Sequence, residues 1–126
     1  MGHILIVEDD RDNRNMTEQV LMDAGYTVVS ASNGMQGVQM AACEQPDLIL
    51  MDLGLPVLNG WEATRRIKAD PTTRHIPVVT CTAYLMQEEL AEAVTAGASA
   101  IITKPFELTT LLHNVAAVLA YHPGTG

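Results

Sequence analysis

The residues best equipped for chemistry in this chain are Glu8, Asp9, Asp52, Thr82 and Lys104, and each stands at or just past the end of a short apolar run. Glu8-Asp9-Asp10 follows Ile4-Leu5-Ile6-Val7, and Asp52 follows Leu48-Ile49-Leu50-Met51. Thr82 closes Val78-Val79-Thr80-Cys81, and Lys104 follows Ala100-Ile101-Ile102-Thr103. If neighbouring strands bring Glu8 and Asp9 close to Asp52, three carboxylates repel one another and one pKa rises strongly. A divalent cation relieves that repulsion. Magnesium suits the task, because it takes oxygen ligands, keeps several waters and often adds phosphate oxygens. Lys104 supplies a second positive charge and Thr82 a hydroxyl donor. Together these are the parts of a phosphoryl-transfer site. A carboxylate can act as nucleophile and become an aspartyl-phosphate, while a metal ion and a lysine offset charge on the equatorial oxygens.

No member carries that reading alone. Glu8, Asp9 and Asp10 equally suit the start of a helix, where acids favour the dipole. Asp52 could open a turn, Thr82 could be an ordinary strand residue, and Lys104 a solvated loop lysine before Pro105. The weight comes from four such features at four strand ends in the right order.

The elements that must position them follow from periodicity. The runs at 4–7, 27–30, 48–51, 78–82 and 100–103 hold apolar residues in consecutive rather than alternating positions, the pattern of strands covered on both faces. The first helix is expected from 12 to 24, with Met16, Val20, Leu21 and Ala24 on one face and Gly25 as its stop. Asn33 caps a second, which Pro46 ends. A third runs over 61–69 and a fourth over 86–96. In the last, Leu108, Leu111, Leu112, Val115, Val118 and Leu119 recur at helical spacing. Strict alternation of strand and helix implies an α/β fold, a parallel sheet with helices on both faces and right-handed crossovers. Ligands of such sheets bind beyond the carboxyl ends of the strands, where strand order reverses. The expected organisation is one domain over 1–121 and a flexible tail over 122–126, with no repeat, linker or second domain.

Composition narrows the function classes. A chain of 126 residues, 48% of them apolar, can bury a core without disulfides. A net charge of −8 disfavours nucleic acid and anionic membranes, both of which call for clustered Lys and Arg. Cys43 and Cys81 form no CxxC pair or zinc-spaced cluster, and both are expected to be reduced, small core residues. The 4–7 run is too short for a signal peptide, and no stretch approaches a membrane span, so a soluble cytoplasmic protein is expected.

These residues resemble the receiver domain of bacterial response regulators, the CheY-like family, and in particular its single-domain chemotaxis and cell-cycle members. The similarity spans essentially the whole chain. It rests on Ile4-Leu5-Ile6-Val7-Glu8-Asp9-Asp10, Pro46-Asp47-Leu48-Ile49-Leu50-Met51-Asp52, Leu55-Pro56, Asn59-Gly60, Ile76-Pro77-Val78-Val79, Thr82-Ala83, Ala96-Gly97-Ala98 and Lys104-Pro105-Phe106. The fold it implies is a doubly wound (βα)5 sheet, flavodoxin/CheY-like, with strand order 2-1-3-4-5. The function it implies is that of a phospho-acceptor in a two-component or phosphorelay system, assisting its own phosphorylation and dephosphorylation rather than acting as an enzyme. Asp52 would accept the phosphoryl group. Asp9 would bind Mg2+ directly, Glu8 mainly through a water, and Gly54 by its backbone carbonyl. Thr82 and Lys104 would bond the phosphoryl oxygens. The donor would be a sensor histidine kinase or a histidine phosphotransfer protein, since His3, His75, His113 and His122 all fall outside the motifs. The output would be contact with a downstream protein through the fourth helix, fifth strand and fifth helix, by a monomer or weak dimer.

One position departs from the family pattern. Ile101 stands three residues before the lysine, where many members carry an inward-swinging Tyr or Phe, so Tyr84 is expected to share the readout or to shield the phosphoryl group. Gly54 offers no side chain to position an attacking water, which implies modest self-dephosphorylation. Three competing readings fare worse. A haloacid-dehalogenase-type phosphatase needs an acid where Gly54 stands, and a flavin module needs a phosphate loop where Glu8-Asp9-Asp10 would repel one. A docking module independent of phosphorylation has no use for the intact acids, threonine and lysine.

Overall fold

A computed structural model of the chain describes residues 2–52, 60–82, 100–103 and 108–121. Five parallel strands form one sheet: β1 (His3–Val7), β2 (Thr27–Ala31), β3 (Leu48–Asp52), β4 (Val78–Thr82) and β5 (Ala100–Thr103), in the order β2-β1-β3-β4-β5. This is the expected strand order. Three helices, α1 (Arg11–Asp23), α2 (Gly34–Glu44) and α3 (Gly60–Ala69), and a C-terminal helix (Leu108–Tyr121) cover it. The helix expected at 86–96 and the tail at 122–126 lie outside the described residues.

The consecutive apolar runs do what their pattern requires. Pleating sends alternate side chains to opposite faces, so Ile4 and Ile6 join Leu48, Leu50 and Val79 under α1 and the C-terminal helix. Leu5 and Val7 join Ile49, Met51 and Val78 under α2 and α3. Every residue from Ile4 to Val7 and from Leu48 to Met51 is buried, as a central strand covered on both sides must be. The C-terminal helix buries Val115 and Val118 and half-buries Leu112 and Leu119 against the first of these layers.

Helix ends follow local chemistry. Gly25 takes φ 99, which frees its N–H to reach the carbonyl of Met22 at 3.0 Å while the Tyr26 N–H reaches Leu21 at 3.0 Å. That pair of hydrogen bonds satisfies carbonyls of the last turn of α1, and Tyr26 packs against the core cluster that contains Leu21. Asn33 caps α2 by accepting from the Gln36 N–H at 2.8 Å. The buried positions of α2 are Gly34, Gly37 and Ala41. Such small residues bring the helix close to β1: a Cβ on Gly37 would lie 2.8 Å from Cγ2 of Val7.

Two expectations fail on helix geometry. Of Met16, Val20, Leu21 and Ala24, only Leu21 is buried; Val20 is half-buried, Ala24 is exposed and Met16 is 52% exposed. Met16 lies five residues from Leu21, about 140° around the helix, and so points away from the sheet. Cys43 is exposed rather than core. It sits two residues past buried Ala41, on the opposite side of α2. The side chain of Cys81 lies outside the described residues.

Candidate functional site

The strand order reverses between β1 and β3. The chain leaves β1 for β2 on one side, then crosses back to β3 on the other. No loop need cover the carboxyl ends of these two strands, which is why a cleft forms there. Register then decides what meets in it. Val7 pairs with Met51, so Glu8 comes level with Asp52, and Asp52 itself pairs with Cys81. Thr82 pairs with Thr103, the last residue of β5. The backbone thus sets the first acids, Asp52 and Thr82 along one rim. Thr82 and Ile101 enter by backbone position only, while Gly54, Tyr84 and Lys104 lie outside the described residues.

Glu8, Asp9 and Asp52 do converge. One carboxylate oxygen from each lies within 4.8 Å of the other two. Glu8 is 7% exposed, Asp52 half-buried and Asp9 exposed, so the cluster runs from the sheet interior out to solvent. An octahedral magnesium ion holds oxygens at about 2.1 Å, which sets opposite ligands about 4.2 Å apart. The triad is of the right donor type and gathered closely enough for one ion to be shared among the three acids. Adjacent ligands of such an ion lie closer still, at about 3.0 Å, so the acids would draw together around it or reach it through a bridging water.

The third acid of the run has a different task. The Asp10 side chain accepts from the N–H groups of Asp12 at 2.9 Å and Asn13 at 3.4 Å, and so caps α1. Its second oxygen accepts from the Asn13 amide at 3.3 Å. Three adjacent acids are thus divided: Glu8 and Asp9 face Asp52, and Asp10 satisfies the helix. The sequence allows all three at the start of a helix, and the cap geometry gives that task to Asp10.

The backbone between them is held at several points. Glu8 N–H donates to Ala31 of β2 at 3.0 Å. Asp10 N–H approaches Glu8 Oε2 at 3.4 Å. Arg14, in the first turn of α1, donates from Nη1 to the Glu8 carbonyl at 2.9 Å. Nothing in the sequence separates Arg14 from an ordinary solvated helix arginine, and its contact emerges only from the fold.

Residues 4–116 match the family model of the response regulator receiver domain. The chain is 38% identical over 120 residues to the protein PilH of Pseudomonas aeruginosa, covering 95% of this chain and 99% of that one. It is 33% identical over 116 residues to the polar-differentiation response regulator DivK of Brucella anthropi, covering 92% and 94%. Among solved structures it resembles the receiver domain of a Pseudomonas aeruginosa sensor histidine kinase, which holds a magnesium ion in its active-site cleft. The TM-score is 0.86 at 35% identity, with 92% of this chain and 95% of that one covered. Strand order, the acid cluster at the switch point and these matches agree, and the chain belongs to the response regulator receiver domain family, the phospho-acceptor module of two-component signalling.

Proposed function

We propose that Asp52 is the phospho-acceptor, and that Glu8, Asp9 and Asp52 hold a magnesium ion beside it. The observation that carries this reading is the approach of the three carboxylates to within 4.8 Å at the point where strand order reverses. An Asp52 oxygen attacks the phosphorus of a phosphohistidine on a sensor histidine kinase or a histidine phosphotransfer protein. The O–P bond forms as the P–N bond breaks, and the imidazole leaves with the bonding pair. Magnesium, when bound, offsets the charge of the carboxylates and of the transferred group. Thr82 bonds one phosphoryl oxygen and Lys104 another. The carbonyl of Gly54 completes the ligand set.

The phosphoryl group adds nearly two negative charges and three strong acceptors. Recruiting Thr82 and Lys104 to them biases a two-state equilibrium of the fourth and fifth strands and the segments that follow. Ile101 and Tyr84 take the place of an aromatic rotamer switch in that readout. The chain acts as a signalling domain over 1–121, without turnover of an external substrate, and passes its state to a downstream protein by contact. PilH and DivK, which it spans almost end to end, favour a one-domain regulator. Among the described residues no helix is long and apolar enough to cross a membrane, and a cytoplasmic location fits the reading.

The test is incubation with acetyl phosphate and Mg2+, followed by intact mass. One added phosphoryl group is expected in the wild type, and none in Asp52→Asn or without the metal. Absence of any Mg2+-dependent adduct would leave a docking module independent of phosphorylation as the better account.

A further inference from the structure

Arg14 is a cation that pairs with no carboxylate among the described residues, in a region built from acids. It lies half-buried in the first turn of α1. Its Nη1 donates instead to the backbone carbonyl of Glu8 at 2.9 Å. That carbonyl belongs to the peptide joining Glu8 to Asp9, the two acids that must point at Asp52 together. The preceding peptide is already fixed, because Glu8 N–H is bound to Ala31 of β2. The Glu8–Asp9 peptide lies beyond β1, and Arg14 is a side chain that holds its oxygen.

We propose that Arg14 is a positioning residue for the acid pair: by holding the Glu8 carbonyl it fixes the Glu8–Asp9 peptide plane, so that both carboxylates face Asp52 and take up a divalent cation as one site. This rests on the magnesium reading given above. Charge and geometry act in opposite directions here. A guanidinium near the cluster repels a cation, so removing it for electrostatic reasons alone would tighten magnesium binding. Removing a contact that orients ligands loosens binding, by roughly tenfold at the low end for groups one step behind a metal. The sign of the change therefore separates the two roles.

Arg11 provides the control. It is exposed, lies in the same helical turn, and carries the same charge. Magnesium binding is measured by calorimetry on the full chain for wild type, Arg14→Met and Arg11→Met. The dissociation constant should rise about tenfold in Arg14→Met and stay level or fall in Arg11→Met. A second readout needs no metal: the Asp10 amide, held against Glu8 Oε2, should exchange its proton faster in Arg14→Met and not in Arg11→Met. If Arg14→Met does not fold, Arg14→Lys carries the same two comparisons, with a higher dissociation constant and faster Asp10 amide exchange than wild type expected. Equal behaviour of the two variants in both readouts, or tighter binding in Arg14→Met, overturns the proposal. A wild type that takes up no magnesium would instead overturn the metal site on which it rests.

Discussion

Replacing Gly37 by Ala adds one methyl group where α2 meets β1, and the structure fixes what that methyl would strike. An ideal Cβ there lies 2.8 Å from Cγ2 and 3.0 Å from Cγ1 of Val7, where ordinary contact begins near 3.4 Å. Val7 is 1% exposed and is paired on both sides, with Ala31 and with Met51. Both of its methyl groups already face the helix, so rotating χ1 still leaves one of them in the way. The helix must move off the sheet by about half an ångström, which is a small-to-large core change worth about 1–3 kcal/mol. Against this, Ala gains about 1 kcal/mol over Gly in a helix interior. The net expectation is a loss of about 1 kcal/mol, read from the urea midpoint by circular dichroism. Trimming Val7 should remove the conflict, so Gly37→Ala in a Val7→Ala background should stabilise, a coupling of at least about 1 kcal/mol between contacting sites. Because Val7 immediately precedes Glu8, the single variant should also weaken magnesium binding. A Gly37→Ala protein more stable than wild type would show that the close approach of α2 to β1 is not what selects glycine there.

Further outcomes follow from the same geometry. Asp10→Ala should cost about 1 kcal/mol through the lost cap of α1, with Asp10→Asn close to wild type, and should weaken magnesium binding less than Asp9→Ala does; urea titration and calorimetry read the two effects. Asp52→Asn should stabilise the metal-free protein by about 1 kcal/mol or more, since carboxylates under 5 Å apart repel by about that much even at water-like screening, and added Mg2+ should shrink the difference in melting temperature. The backbone N–H and hydroxyl of Thr72 hold the Asp70 carboxyl below its ordinary value. Its contribution is therefore present in full above that ordinary value and lost as pH falls through the lower folded one, so Asp70→Asn should unfold at lower urea than wild type at pH 5 and approach it in more acid solution.

Much of the fold is legible in the chain because both central strands are buried on two faces. Ile4 to Val7 and Leu48 to Met51 leave no polar position to disguise them, and the strand order follows from the family likeness those runs carry. The surface helices are harder. α1 buries Leu21 alone among its residues, so Met16 and Ala24 look like core by type yet sit off a narrow contact stripe. Cys43 misleads for the same reason: cysteine is usually buried, but α2 meets the sheet through Gly34, Gly37 and Ala41 instead. At the site, residue type announces Glu8, Asp9 and Asp52, and only register and caps reveal that Asp10 serves the helix. Arg14 is invisible beforehand, because a contact to a backbone carbonyl six residues back leaves no mark in composition or spacing.

The most direct measurement locates the phosphoryl group. Protein treated with acetyl phosphate and Mg2+ is reduced with borohydride, which turns an aspartyl-phosphate into homoserine, and is then mapped by peptide mass spectrometry. Homoserine at position 52 alone is the predicted result. Conversion of Asp9 in place of Asp52, or a stable adduct on a histidine with position 52 untouched, would contradict the account.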